Sequence, residues 1–430
     1  MTAPTRLLPL ASLLALAAAC ASEKAASRPA SESPAAVAAQ GAPAAAPGPG
    51  PAALSPRAQR LFDEAATAFD EQKKLKIPTD WVLLERKWRA AAVEGVPEAW
   101  FNVGVSLEGQ EKPAEARAAY QTALSLRPGM REAAVNLAFL DSASAPPREA
   151  AHVYADLLAR YPEDALVRLR LAEIYRQAGQ LDEASGLARE ALRRDPEALA
   201  AYPLMMRVAL ERGNLDLVEL IGVRARKLGA PEAEVSYLLA ITAERRRDEP
   251  QALSLYRKAA AAAPDFLAPR YRLLELALVA RSWEGAADQA RSILKLNPSD
   301  ARVHLALGVA LRNGGKPEEA LAEYERALSL AGGKLPEAYL ARGVAYAKGL
   351  SRCEPALVEL DRYEQAVGPT AAVESPAPAL RRECVQIIAS AKQAEEAARQ
   401  MQVEAERAAA AKAPPPPPPS KEGTAPAEPR

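Results

Sequence analysis

The chain has 430 residues, of which 49% are hydrophobic and 26% charged, but only 5% are aromatic. The 55 Lys and Arg residues balance 55 Asp and Glu residues, so no long-range field steers the molecule to nucleic acid. Two histidines and three cysteines are too few for a Cys/His zinc cluster of the usual spacing. Abundant alanine favours helix, and the scarcity of β-branched and aromatic residues argues against a large sheet.

Residues 1–19 have the pattern of an export signal, because Arg6 precedes an apolar run that is too short to span a bilayer. The run ends in LAAAC, which resembles the lipobox of bacterial lipoproteins and implies acylation of Cys20. Ala21 follows the cysteine, and by this resemblance the protein is expected at the outer membrane, facing the periplasm. Cleavage at an Ala-x-Ala site that ends at Ala19 is the alternative and leaves the protein unanchored. Residues 20–54 are Ala/Pro-rich and predict a disordered tether.

Prolines recur along the middle of the chain with a spacing of 34 residues or twice that number. The recurring prolines are Pro128, Pro162, Pro196, Pro264 and Pro298. Each one follows a stretch with helical apolar spacing and separates it from the next helix. A period of this length indicates stacked helical repeats.

The clearest repeat reads PEAWFNVGVSLEGQEKPAEARAAYQTALSLRPG and resembles the tetratricopeptide signature along its length. The resemblance implies an all-α fold, a right-handed superhelix (solenoid) in which each repeat contributes a first and a second helix. Seven repeats, numbered 1 to 7 here, share this register: 97–130, 131–164, 165–198, 199–232, 233–266, 267–300 and 301–334.

A small residue is expected at position 20 of each repeat, where the paired helices approach closely. The residues there are Ala116, Ala150, Ala184, Val218, Ala252, Ala286 and Ala320. Repeat 4 is the most degenerate, with Met206, Val218 and Gly222 at three signature positions.

Irregular segments flank the seven repeats. Residues 55–96 predict an N-terminal capping helical pair, and residues 335–369 predict a degenerate eighth repeat whose second helix slips by about one residue. Residues 370–412 predict a capping and extended helix. On one of its faces we expect Leu380, Cys384, Ile387, Ile388 and Ala391 to cover the end of the solenoid. The Pro-rich tail, 413–430, is either a disordered end or a polyproline segment that binds a partner.

The candidates for catalysis are few. His152 and His304 lie at repeat positions expected to face neighbouring helices, which indicates packing roles. The Gly314-Gly315-Lys316 segment lacks the remaining residues of a phosphate-binding loop, and a left-handed helix stop explains its glycines. We therefore expect no enzyme activity, no cofactor, no metal and no small-molecule substrate.

Cys353 and Cys384 are the two thiols that remain if Cys20 is acylated. In an oxidising periplasm such a pair predicts a disulfide that ties the last repeat to the capping helix. Two free thiols are the alternative.

The first helices line the groove in proteins of this family, and all seven residues at position 5 are apolar. The predicted partner-binding groove consists of Phe101, Val135, Phe139, Leu169, Tyr237, Tyr271 and Leu305. Such a groove suits a segment of another protein. The alternative is that position 5 is half buried between neighbouring repeats and has only a packing role. The chaperone-binding carboxylate clamp is not implied, because Phe101 and Val105 replace its Lys and Asn.

These features predict a non-catalytic periplasmic scaffold that binds partner proteins in a cell-envelope machine. The long array and the composition are similar to those of tetratricopeptide lipoproteins in the gliding motility machinery of myxobacteria. The alternatives are an assembly factor for outer-membrane proteins or pili and, from another class, a cell-wall enzyme.

Overall fold

The computed structural model describes residues 54–75, 79–143 and 145–412, and for 409–412 the backbone alone. The expected signal peptide, Cys20, most of the tether and the Pro-rich tail lie outside these residues. The described residues form helices and no strand. The helices of the first part of the chain are α1 Pro56–Leu75, α2 Trp81–Ala92, α3 Pro97–Gly109, α4 Pro113–Leu126, α5 Arg131–Ser142, α6 Pro147–Arg160, α7 Ala165–Gln177, α8 Leu181–Arg194, α9 Ala201–Glu211, α10 Leu215–Lys227, α11 Glu232–Arg245 and α12 Glu249–Ala262. The remaining helices are α13 Leu267–Val279, α14 Trp283–Leu294, α15 Ala301–Asn313, α16 Pro317–Leu330, α17 Pro336–Val344, α18 Cys353–Val367, α19 Pro369–Val373 and α20 Ala377–Lys412.

The predicted all-α fold of tandem helix pairs is confirmed. Repeat 1 consists of α3 and α4, and the pairs continue in order to α15 and α16 in repeat 7. Cap residues begin several helices. Pro113 occupies the first turn of α4, while the Asp164 carboxylate accepts a hydrogen bond from the Val167 amide at the start of α7.

Position 15 ends the first helix with a left-handed residue in six of the seven repeats. Gly315 has φ +81° there, which confirms that the Gly314-Gly315 segment is a helix stop. Glycine is not required at this position, since Glu111, Arg247 and Arg281 adopt the same conformation with φ between 56° and 62°. The tight turn is therefore a property of the repeat.

The core lies where the two helices of each repeat meet. All seven position-20 residues are buried, and Ala116, Ala184, Val218, Ala286 and Ala320 have no exposed surface. Repeats 1 and 7 also place a glycine of the first helix against a buried tyrosine of the second. Small residues thus let the helix pairs approach closely, as the sequence predicts.

The described chain divides between Leu273 and Leu274, within α13, into two compact bodies. The first body contains α1 to α12, and its largest apolar cluster includes Trp88, Phe101 and Tyr120. The second body contains α14 to α20, and one of its clusters surrounds Leu360.

The eighth repeat owes its irregularity to a turn of π-helix, Ala345–Gly349, which follows α17. A π-turn accommodates one extra residue, and this explains the one-residue slip before α18. The helix pair still packs closely, because a Cβ on Gly343 would lie 3.2 Å from Leu360 Cδ2.

The C-terminal helix α20 packs against α18 by its first turns only. Leu380 and Cys384 are buried and Ile388 is half buried, but Ile387 and Ala391 are exposed, contrary to the expectation of a five-residue capping face. From Ala389 to position 408 all side chains are exposed. The helix therefore leaves the body after about three turns. Of the described helices, none combines the length and the apolar content that crossing a bilayer requires.

Candidate partner-binding surface

Every position-5 side chain is at least half buried. Phe101 and Val135 are 5% exposed, and Pro203 is also buried. The half-buried residues at this position are Leu169, Tyr237, Tyr271 and Leu305. Leu169, Tyr237, Tyr271 and Leu305 therefore combine a packing role with a partly accessible surface, whereas Phe101 and Val135 offer almost no surface to a partner.

Tyr237 shows the packing role most clearly. Its ring centroid lies 5.8 Å from that of Tyr256 in the second helix of the same repeat and 5.2 Å from that of Phe266, which follows α12. Burial raises the pKa of the Tyr237 hydroxyl. Phe101 makes a similar contact, 5.7 Å from the Tyr120 ring. Truncation of either side chain would remove contacts inside the repeat.

Phe139, at position 9 of repeat 2, is half buried on α5. The guanidinium carbon of Arg170 on α7 lies 5.6 Å from the centre of its ring, within cation–π range. The contact joins the first helices of two consecutive repeats.

Ion pairs join the first helices of repeats 3, 4 and 5. Arg176 on α7 forms an ion pair with Glu173 at 2.7 Å and a second ion pair with Glu211 on α9. Arg207 on α9 reaches forward to Glu234 on α11 at 2.5 Å. We call these five residues the charge ladder. It extends along the same helices that carry the predicted apolar groove.

The ladder is partly shielded from water, which strengthens its pairs. Burial raises the pKa of Glu173, but the hydrogen bond from Arg176 and the positive charge of Arg207 outweigh it, so the pKa is lowered overall. For Arg176 burial lowers the pKa, and the bond to Glu173 and the charge of Glu211 outweigh this effect and raise it. Both groups are therefore held in their charged forms.

A related contact links repeats 5 and 6 within the first body. The Glu244 carboxylate accepts a hydrogen bond from Arg272 Nε at 3.0 Å and another from the Tyr256 hydroxyl at 2.8 Å. Glu173 lies at position 9 of repeat 3, but the sequence alone does not reveal which charged residues pair across the repeats. The sequence offers only the presence of opposite charges on consecutive first helices, because the partners occupy unmatched repeat positions: 12 with 13, 9 with 2, and 12 with 6.

The two histidines lie in different surroundings. His304 is buried, with Nδ1 2.6 Å from Glu323 Oε2 and Nε2 3.1 Å from the Pro298 carbonyl oxygen, as a packing role requires. His152 is exposed, contrary to expectation, because position 22 of the second helix points away from the repeat core. Among the described residues, no group of His, Cys, Asp and Glu side chains could hold a metal ion.

Cys353 and Cys384 lie together in a small apolar cluster between α18 and α20. Both are buried, free thiols in this structure. Burial, together with a hydrogen bond with Cys353, raises the pKa of Cys384 to about 12. The predicted partners are thus adjacent, and the disulfide itself stays a prediction.

Three family models described as tetratricopeptide repeat match residues 97–130, 147–205 and 271–336. The chain contains tetratricopeptide repeats. The matched segments follow the helix pairs described above, and proteins built from such repeats bind partner proteins on extended surfaces. No curated protein matches the chain.

Several solved structures are similar. Pseudomonas aeruginosa pilF is 19% identical and aligns over 47% of this chain and 92% of its own, with a TM-score of 0.38. YrrB, described as a tetratricopeptide protein with an unusual peptide-binding site, is 19% identical over 52% of this chain and 97% of its own, with a TM-score of 0.29. Human IFIT1, solved as a dimer with m7Gppp-AAAA, is 14% identical over 72% and 78%, with a TM-score of 0.44.

Proposed function

We propose that the protein is a non-catalytic scaffold lipoprotein that is anchored to the outer membrane and binds partner proteins in the periplasm. The machine we propose for it is the gliding motility apparatus. The observation that carries the binding role is the surface of α7, α9 and α11, the first helices of three consecutive repeats, where apolar position-5 side chains and the charge ladder lie together.

This surface suits a polypeptide segment. Half-buried Leu169, Tyr237 and Phe139 can add apolar contacts, and the carboxylates and guanidinium groups of the charge ladder can fix the register of a bound chain. The ladder joins consecutive first helices, so the surface is preorganised and less side-chain entropy is lost on binding.

The anchor is tested by labelling with palmitate. We expect the label to enter the wild-type protein and not the Cys20→Ser variant, which should appear in the soluble fraction or remain an uncleaved precursor. Cys20→Ala is the matched second variant, since it also removes the thiol. If the wild-type protein takes up no label, the anchor is refuted and the Ala-x-Ala cleavage site is favoured.

The groove is tested with the double variant Tyr237→Ala and Tyr271→Ala. We expect capture of the partner to weaken at least about tenfold, because aromatic side chains in a groove commonly contribute 2 kcal/mol or more. The Tyr237→Phe variant is the control, since it keeps the ring contacts with Tyr256 and Phe266. Capture that stays normal in a folded double variant would exclude these residues from the binding surface.

A pull-down from membranes distinguishes the proposed machine from the alternatives. Recovery of motility components supports the proposal, whereas the β-barrel assembly machinery or pilus proteins would support an assembly factor. Activity of the purified protein on peptidoglycan, without a stable protein partner, would support a cell-wall enzyme.

A further inference from the structure

The second helix of repeat 4, α10, exposes a row of large apolar side chains. Leu217, Leu220 and Val223 are 38%, 69% and 67% exposed. Their spacing of three residues places them on one side of the helix. The opposite side, with Val218, Ile221 and Ala225, is buried in the body. We call the three exposed residues the α10 stripe.

The other six repeats serve as internal controls, because the stripe occupies positions 19, 22 and 25. In those repeats the equivalent residues are Glu115, Glu149, Glu183, Gln251, Gly285 and Glu319 at position 19, Ala118, His152, Gly186, Ser254, Asp288 and Ala322 at position 22, and Gln121, Ala155, Arg189, Arg257, Arg291 and Glu325 at position 25. None of them is a large apolar residue. The repeat fold therefore does not require the stripe, and exposing it to water is unfavourable unless another surface covers it.

The charges around the stripe are arranged with opposite signs at its two ends. Asp216 and Glu219, near the start of α10, share one cation, Arg246, at 2.5 Å and 3.4 Å, which leaves an excess negative charge. Arg224 and Lys227, near the end of α10, are exposed. A surface that matches the stripe needs an apolar centre, with positive charge opposite the start of α10 and negative charge opposite its end.

We propose that the α10 stripe pairs with the α10 stripe of a second copy of this chain, with the two helices antiparallel about a two-fold axis beside Leu220. At a rise of about 1.5 Å per residue, Leu217 and Val223 lie about 4.5 Å on either side of Leu220 along the helix axis. In the antiparallel pair, Leu217 of one copy therefore lies opposite Val223 of the other. Asp216 of one copy then lies level with Arg224 of the other. The surface is complementary to itself, as an isologous dimer requires.

The contact is small, so the dimer should be weak and in rapid exchange with the monomer. A covalent trap is therefore the appropriate test. In the full chain, Leu220→Cys should be joined to a second copy by a bis-maleimide reagent at least tenfold more efficiently than Ala322→Cys. Ala322 is the matched control, since it is exposed at position 22 of repeat 7. Wild-type protein gives the background from the native thiols.

Charge exchange tests the antiparallel arrangement. Asp216→Arg and Arg224→Asp should each weaken self-association measured by sedimentation velocity, because like charges then face each other at both ends of the stripe. An equimolar mixture of the two variants should restore association, since every facing pair is again of opposite sign. A thermal melt of each variant checks that the fold is retained.

Crosslinking of Leu220→Cys at the level of Ala322→Cys would overturn the proposal. So would a crosslinked product that contains a different protein or a terminal segment of the same chain. If the mixture of charge variants associates no better than either variant alone, the antiparallel pairing is wrong.

Discussion

Replacement of Gly104 by alanine tests whether close approach of the paired helices stabilises the repeats. A Cβ on Gly104 would lie 2.7 Å from Cδ1 of Tyr120 and closer still to Cε1. The Tyr120 ring cannot easily move, because it is fully buried and its hydroxyl is bonded to Glu108 and, at 3.0 Å, to Asn136. Overpacking of this kind costs about 1–3 kcal/mol.

The same substitution also has a favourable component, since alanine is better than glycine in a helix by about 1 kcal/mol. We therefore expect Gly104→Ala to destabilise repeat 1 by up to about 2 kcal/mol, the difference between the overpacking cost and the gain in helix propensity. Gly186→Ala is the matched control, because Gly186 lies within α8 and a Cβ there would meet no atom within 4 Å. This control should be stabilised by up to about 1 kcal/mol.

Native-state hydrogen exchange, read at the amides of α3 and α4 for Gly104 and of α8 for Gly186, measures both effects locally. The change in local stability should have opposite signs in the two variants. An equal change in the free energy of unfolding for Gly104→Ala and Gly186→Ala would refute the argument that Gly104 is needed for the helices to approach.

Three further predictions concern other contacts of the fold. Ala252→Glu should raise hydrogen exchange mainly in residues 199–300, since repeats are coupled to their neighbours, and a uniform rise along the chain would contradict a solenoid. Because the pKa of Glu173 is lowered on folding, its charged form stabilises the fold at pH above the ordinary value of 4.5, and this contribution is lost as the pH falls through the lowered pKa. Glu173→Gln should therefore reduce the acid sensitivity of α7, measured by hydrogen exchange in a pH series. If the protein lies in an oxidising periplasm, as proposed, non-reducing mass spectrometry should find a peptide that joins Cys353 to Cys384, and alkylation of both thiols without prior reduction would exclude the disulfide.

The fold could be predicted from the sequence because its determinants are local and repeated. The prolines at 34-residue intervals and the alanines at position 20 report directly on helix ends and helix contacts, and the structure places both as expected. The left-handed residues Glu111, Arg247 and Arg281 could not be recognised, because none of them is a glycine. There the packing of the repeat overrides the local preference.

The proposed binding surface was less predictable, because it depends on side chains that meet across repeats. Position 5 could be identified as apolar, but only the structure shows that Tyr237 packs between Tyr256 and Phe266. Glu211 and Glu234, which pair with Arg176 and Arg207, each lie one repeat away, and a long arginine side chain can reach several carboxylates from its position. Composition gives the charges and not their pairing.

Site-specific photocrosslinking tests the central claim, that the first helices form the surface that binds a partner polypeptide. A photoreactive phenylalanine analogue at position 139 in the full chain, irradiated in intact cells, should yield one discrete product with another protein. The same analogue in place of Gln121, which is exposed on the second helix of repeat 1, is the control and should yield none. Product formation at Gln121 but not at Phe139, or at neither position, would contradict the account.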